Sequence, residues 1–184
     1  MVFLLAAGML SAGIWVQGGF AAVEERSVAT DQPLSNDLFT LSVQGAGIET
    51  EETFGEVREH VAIHAELTSH EREAVRSSTI MEALLELEFL PAETEPDLSG
   101  EMQLERRSEV GRIGWVQPAS TEEVRLLWEV PEDLDSAGDI EQVRLRVLDA
   151  EYGEAGFLDR AQRWSNPDGN SVGQYVLSVE QGSP

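Results

Sequence analysis

The chain of 184 residues has no cysteine and no lysine. Without cysteine there is no disulfide, no thiolate zinc site, no cysteine nucleophile and no lipid-bearing cysteine after the first apolar run. An extracytoplasmic location stays open, because exported domains also fold without disulfides. Basic charge is scarce: 12 arginines face 35 acidic residues, for a net charge of −23. Nucleic acid and anionic membrane surfaces need clusters of cations, so the charge argues against both as partners. The use of arginine alone fits GC-rich coding, whose codons favour it over lysine. Apolar residues make up 41% of the chain, a globular rather than a disordered composition.

The apolar residues fall into two kinds of pattern. Residues 1–23, MVFLLAAGMLSAGIWVQGGFAAV, carry no charge and are followed by Glu24, Glu25 and Arg26. About 20 apolar residues span a bilayer, and a signal peptide needs a shorter apolar core, a basic start and a small-x-small cleavage site. The basic start is missing, while Gly19-Phe20-Ala21 offers a cleavage site. Two readings follow: a single-pass anchor with the C-terminal bulk outside the cytoplasm, or a cleaved signal and a secreted protein. Residues 24–37, polar and containing Pro33, are expected to form a stalk.

From residue 38 onward the apolar residues alternate. Three histidines, His60, His64 and His70, lie in EHVAIHAELTSHE (59–71). On a helix His60 and His64 would share a face and could share a metal. Val61, Ile63, Ala65 and Leu67 instead recur at every second position, the period of a strand with one buried face. Four strand residues span about 13 Å, too far for two imidazoles to hold one ion. The same alternation marks strands at 38–43, 123–130, 142–149 and 174–180, with shorter ones at 102–106 and 112–117. MEALLELEF (81–89) has helix-favouring composition but strand alternation, broken only at Leu84, and is read as strand. Gln44-Gly45-Ala46-Gly47 is read as a bulge, the acidic runs 49–52 and 132–135 as solvated loops, and Trp115 and Trp128 as core. Seven to eight short strands with turn signals between them predict an all-β, antiparallel β-sandwich over residues 38–184, preceded by one N-terminal transmembrane helix.

Three stretches carry a resemblance: VAIHAELTSHEREAV (61–75), VQPASTEEVRLLWEVPED (116–133) and VRLRVLDAEYGEAGFLDRAQRW (143–164). Their strand-and-turn order over 38–180 resembles an immunoglobulin-like domain-of-unknown-function family of Gram-positive, particularly actinobacterial, secreted or membrane-anchored proteins. Ser69, Ala74 and Ala119 depart from the residues favoured there, which are Asn, Pro and Gly. The resemblance implies a cell-surface sandwich used as an interaction or accessory module, and no shared catalytic residues.

The residues themselves point the same way. No G-x-S-x-G elbow, zincin, phosphate-loop or dinucleotide-binding motif is read here, and no enzyme and no cofactor are expected. Asn166, Asp168 and Asn170 alternate around Gly169 in partial imitation of a calcium loop that has no closing glutamate. A tight turn at Asp168-Gly169 is the competing reading, and a calcium-responsive secreted sandwich the functional alternative. A hydrolase is a more distant one. Tyr152, Phe157, Leu158 and Trp164 lie among Arg160 and Arg163 in one connection. These residue types are enriched at interface hot spots, so they are the candidate protein-binding residues. The competing reading has Phe157 and Trp164 folding back to plug the end of the sandwich.

Overall fold

The computed structural model describes residues 26–53, 56–90, 103–107, 112–130, 140–154 and 162–181. The expected membrane segment, 1–23, and the acidic run 132–135 lie outside them. Among the described residues no helix is long and apolar enough to cross a membrane.

The strands in chain order are β1 (Ser27–Val28), β2 (Leu34–Ser35), β3 (Phe39–Thr53), β4 (Glu56–Ser69), β5 (Val75–Arg76), β6 (Leu85–Leu90) and β7 (Gln103–Arg106). They continue with β8 (Trp115–Val116), β9 (Thr121–Glu129), β10 (Gln142–Leu148), β11 (Glu151–Glu154), β12 (Gln162–Ser165) and β13 (Ser171–Glu180). One helix, α1 (Ser77–Leu84), precedes β6. They build a β-sandwich. One layer runs β6-β10-β13 with β1 beside β13, and the other runs β3-β4-β9-β7 with β2 beside β3. The far end of β13 lies parallel to β3, pairing Val179 and Glu180 with Ala46 and Gly47, and so joins the layers.

Alternation sets the register. Val61, Ile63 and Ala65 lie opposite Trp128, Leu126 and Val124 on one side and Ile48, Ala46 and Val43 on the other. In the second layer Val143 and Leu145 lie between Phe89 and Leu87 and Leu177 and Tyr175. Both sets meet in one core cluster. A slip of one residue would turn arginines and glutamates inward, so each register is strongly specified. The outward positions pair too: Arg144 and Arg146 bond Glu88 and Glu86 directly across the strands.

Gln44 is a bulge, since β3 shifts register between Val43 and Gly45. Beyond it β3 continues, so the acidic run 49–52, expected as a loop, is strand. Its Glu49 is held by Arg125 at 2.8 Å, which stabilises a carboxylate on the sheet face. The bulge precedes the seam with β13. A Cβ on Gly47 would stand 3.1 Å from the Glu180 carbonyl oxygen, so only glycine lets the two strands close without displacement.

Residues 81–89 divide between two structures. Ile80, Met81 and Leu84 form the buried side of α1, and alternation begins only at Leu85. Leu84, which breaks the strand pattern, is the last buried residue of the helix. Local helix propensity wins where three apolar residues already share a helical face. Trp128 is buried, but Trp115 is 49% exposed. In the two-residue β8, Val116 takes the inward position and leaves Trp115 outside.

The segment expected as a stalk, 24–37, is built into the sandwich from Arg26 on. β1 pairs β13, β2 pairs β3, and Leu34 is 3% exposed. Two side chains hold it. The buried Tyr175 hydroxyl accepts the Leu34 N–H at 3.1 Å, with the Gln32 and Leu41 carbonyls at 2.7 and 2.9 Å to receive its proton. The Asn36 amide donates to the Leu148 carbonyl at 2.9 Å and accepts from the N–H groups of Leu38 and Phe39 at 3.0 and 2.9 Å. Gly173 lets the segment lie close: a Cβ there would meet Leu34 at 2.8 Å and the Arg26 carbonyl oxygen at 2.9 Å.

Removing the Asn36 amide orphans three buried backbone groups. Asn36→Ala should lower unfolding stability by about 2–3 kcal/mol, measured by urea unfolding; a loss below about 0.5 kcal/mol would show that the segment is not held there. Burial pushes the Tyr175 phenol above its usual 10.0, and its backbone hydrogen bonds oppose this. The unfolded chain therefore loses this proton first, and stability falls as pH rises above about 10. With no lysine and two tyrosines, little else titrates there. Melting temperature should fall above pH 10, and more shallowly in Tyr175→Phe; parallel profiles would refute the assignment.

Candidate functional site

The histidines are dispersed along and beside β4. His60 is 4% exposed, and His70 Nε2 lies 2.8 Å from the Thr40 hydroxyl. His64 Nε2 lies 3.4 Å from one oxygen of Glu49, whose other oxygen accepts from Arg125 at 2.8 Å. Arg125 also donates to Glu105 at 2.6 Å. Glu49 thus lies between an imidazole and a guanidinium on an outer sheet face. Among the described residues, no three His, Asp or Glu side chains converge as metal ligands.

Asn166, Asp168 and Asn170 form a turn. The Asn166 side chain accepts the Gly169 N–H at 2.6 Å and donates to the Asn170 carbonyl at 2.7 Å, while Gly169 has φ +68°. The Asn166 oxygen is thereby committed to the backbone, leaving the loop with fewer outward oxygens for a cation. The next residues, Gly169-Asn170-Ser171-Val172-Gly173, have the G-x-S-x-G spacing of a hydrolase nucleophile elbow, a motif that the sequence reading counts as absent. An elbow needs a strand, a sharp turn at the serine and then a helix. Here a turn leads into β13, with Ser171 opposite Leu148, and no histidine hydrogen-bonds it among the described residues.

A cleft of about 730 Å³ lies instead where a hairpin meets the turn after β4. The turn is fixed by the His70 N–H on the Leu38 carbonyl at 2.9 Å and by the Glu71 N–H on Ser69 Oγ at 3.3 Å. It leads into β5, where Val75 is buried and pairs with Val116 of β8. On the other side, β11 and β12 pair Tyr152 with Trp164 and Gly153 with Arg163. The two rings stand 5.4 Å apart and tilted by 53°, a favourable aromatic contact. Trp164 is half-buried and packs on the core, whereas Tyr152 is 58% exposed. Tyr152, Gln162, Arg163 and Trp164 line one wall, and residues 71–76 with Thr79 line the other.

Of the candidate binding residues, Tyr152, Arg163 and Trp164 therefore come together; Phe157, Leu158 and Arg160 lie outside the described residues. Trp164 both closes the edge of the core and faces the cleft, so the two readings of it are compatible. The opposite wall was missed. SHERE (69–73) reads as a turn, and only folding shows that Arg72, with Arg76 beyond it, lines a cleft with the hairpin. Arg76 also lies over the Trp115 ring, 5.3 Å from its centroid, and Trp115 is one of the few large apolar side chains left exposed.

No protein-family profile matches the chain, and no curated protein matches it. Among solved structures it is similar to an uncharacterised β-sandwich protein of Clostridium difficile 630, with 13% identity and a TM-score of 0.48 over 85% of this chain and 95% of that one.

Exposed residues of the cleft contribute little to folding. Tyr152→Ala and Arg163→Gln should each leave unfolding stability within about 0.5 kcal/mol, whereas Trp128→Ala in the core should cost about 3–5 kcal/mol. Equal losses in all three variants, measured by denaturant unfolding, would mean that the hairpin is a structural strut.

Proposed function

We propose that the chain is a non-catalytic binding or accessory module, anchored in the cell membrane through residues 1–23 and exposed outside the cytoplasm, with a protein partner seated in the cleft beside β12. The observation that carries this reading is the set of Tyr152, Trp164, Arg76 and Arg163 around one open cleft, residue types that dominate interface hot spots. A hairpin and a turn carried on a rigid sandwich are where binding sites usually form. The uncharged run of 23 residues and the resemblance of 61–75, 116–133 and 143–164 to Gram-positive surface domains support the location.

A photo-crosslinking side chain at Gln162, in full-length protein in intact cells, tests this. A discrete adduct in the membrane fraction, lost in Tyr152→Ala/Trp164→Ala protein of unchanged folding, is the expected result. No adduct, or one that survives the double change, would overturn the binding role of the cleft. Recovery of the protein mainly in the medium, cut near Ala21, would overturn the anchor.

A further inference from the structure

The arginines distinguish this cleft from the rest of the surface. Arg58, Arg106, Arg125, Arg144 and Arg146 are ion-paired with glutamates. Arg107 and Arg112 are hydrogen-bonded to Gln44 and Gln103. Arg72 and Arg163 have neither an ion pair nor a side-chain hydrogen bond among the described residues, and Arg76 has only the Trp115 ring. Arg26, at the start of the described chain, is the other such arginine. Among the described residues four arginines have neither an ion pair nor a side-chain hydrogen bond, and three of the four line one cleft.

The walls also have a shape. Among the described residues β12 pairs with β11 alone and β5 with β8 alone, so each wall contributes a strand whose other edge has no partner there. Such edges recognise extended peptides by adding a strand, with side-chain pockets supplying selectivity. Guanidinium groups bind carboxylates in a planar, two-pronged manner, and the tilted Tyr152–Trp164 pair lines the same cleft with apolar surface. Glu71 and Glu73 stand on the same wall, so the local charge of the lining is only weakly positive and a long polyanion is disfavoured.

Resting on the binding reading above, we infer that the cleft takes an extended peptide segment of the partner that pairs one or two carboxylates with a flat apolar side chain. Arg72 and Arg163 hold the carboxylates, and Tyr152 and Trp164 hold the apolar group. Repulsion from the net charge of −23 is screened beyond about 8 Å at physiological salt, so it does not prevent docking there.

The test uses full-length protein in detergent at physiological salt and a fluorescent N-acetylated octapeptide alternating valine and tyrosine with two glutamates. Its binding, read by anisotropy, should weaken roughly tenfold or more when both glutamates are replaced by glutamine. The double variant Arg72→Gln/Arg163→Gln should bind the two peptides equally, with an unchanged melting temperature. Equal affinity of wild type for the two peptides, or no binding of either, overturns the inference. Tighter binding of a uronic-acid oligosaccharide also overturns it and assigns the cleft to an anionic glycan. A cellular Gln162 adduct that the glutamate peptide fails to compete away would preserve the binding module and remove its acidic-peptide specificity.

Discussion

Strand β13 belongs to both layers, and that double membership closes the sandwich. Along most of its length it pairs with β10, and at its end Val179 and Glu180 run beside Ala46 and Gly47 of β3. Two sheets joined this way must pack their apolar faces against each other, and the buried residues of both form one cluster. The constraint reaches further along the same strand. Tyr175 faces the core and presents its hydroxyl to backbone groups of Gln32, Leu34 and Leu41, while Gly173 makes room for Leu34. The N-terminal segment is therefore held by the strand that joins the layers. Buried polar atoms are tolerated there because each has a partner, which fixes one arrangement of the segment.

The charge distribution follows from the same alternation. Positions facing away from the core on β4, β6, β9 and β10 carry Arg and Glu, and cross-strand neighbours on one face stand close enough to pair. Each such pair contributes modestly, roughly 0.2–1 kcal/mol when exposed. Together they occupy five of the eleven arginines among the described residues, and Arg107 and Arg112 donate to glutamines. Of the described arginines with neither an ion pair nor a side-chain hydrogen bond, Arg72 and Arg76 lie in or beside the 70–76 turn, Arg163 lies on the β11–β12 hairpin, and Arg26 lies at the start of the described chain. The region with least regular pairing is thus also the region with available cations and exposed rings. The sheet faces pair arginines with glutamates across strands, whereas Arg72, Arg76 and Arg163 line the cleft with Tyr152 and Trp164.

Much of the architecture was legible because a strand writes its environment at every second residue. Val61 to Leu67, Val124 to Trp128 and Val143 to Val147 each announce one buried face, and the bulge at Gln44 is marked by its glycines. The failures have a common cause. Leu34 and Asn36 sit among polar residues, too few to set a period, and they are held by Tyr175 and by the Leu148 carbonyl, 141 and 112 positions away. Residues 49–52 look solvated because carboxylates do, yet Arg125 holds Glu49 on a strand. Leu84 and Leu85 are adjacent leucines at the point where one period gives way to another, so alternation alone places the boundary wrongly.

The candidate site divides in the same way. Tyr152, Arg163 and Trp164 could be chosen from composition, since aromatic and arginine residues in one connection already suggest recognition. Their partners Arg72 and Arg76 could not, because a charge in a turn is by itself the signature of a solvated turn. By itself the sequence determined the period, hence the strands, their buried faces and the excess of acid on the outside. Only the tertiary structure decided which arginines find carboxylates and which do not. Pairing across strands depends on register and on which loops share an end of the sandwich, and contacts between distant segments leave no local pattern to read.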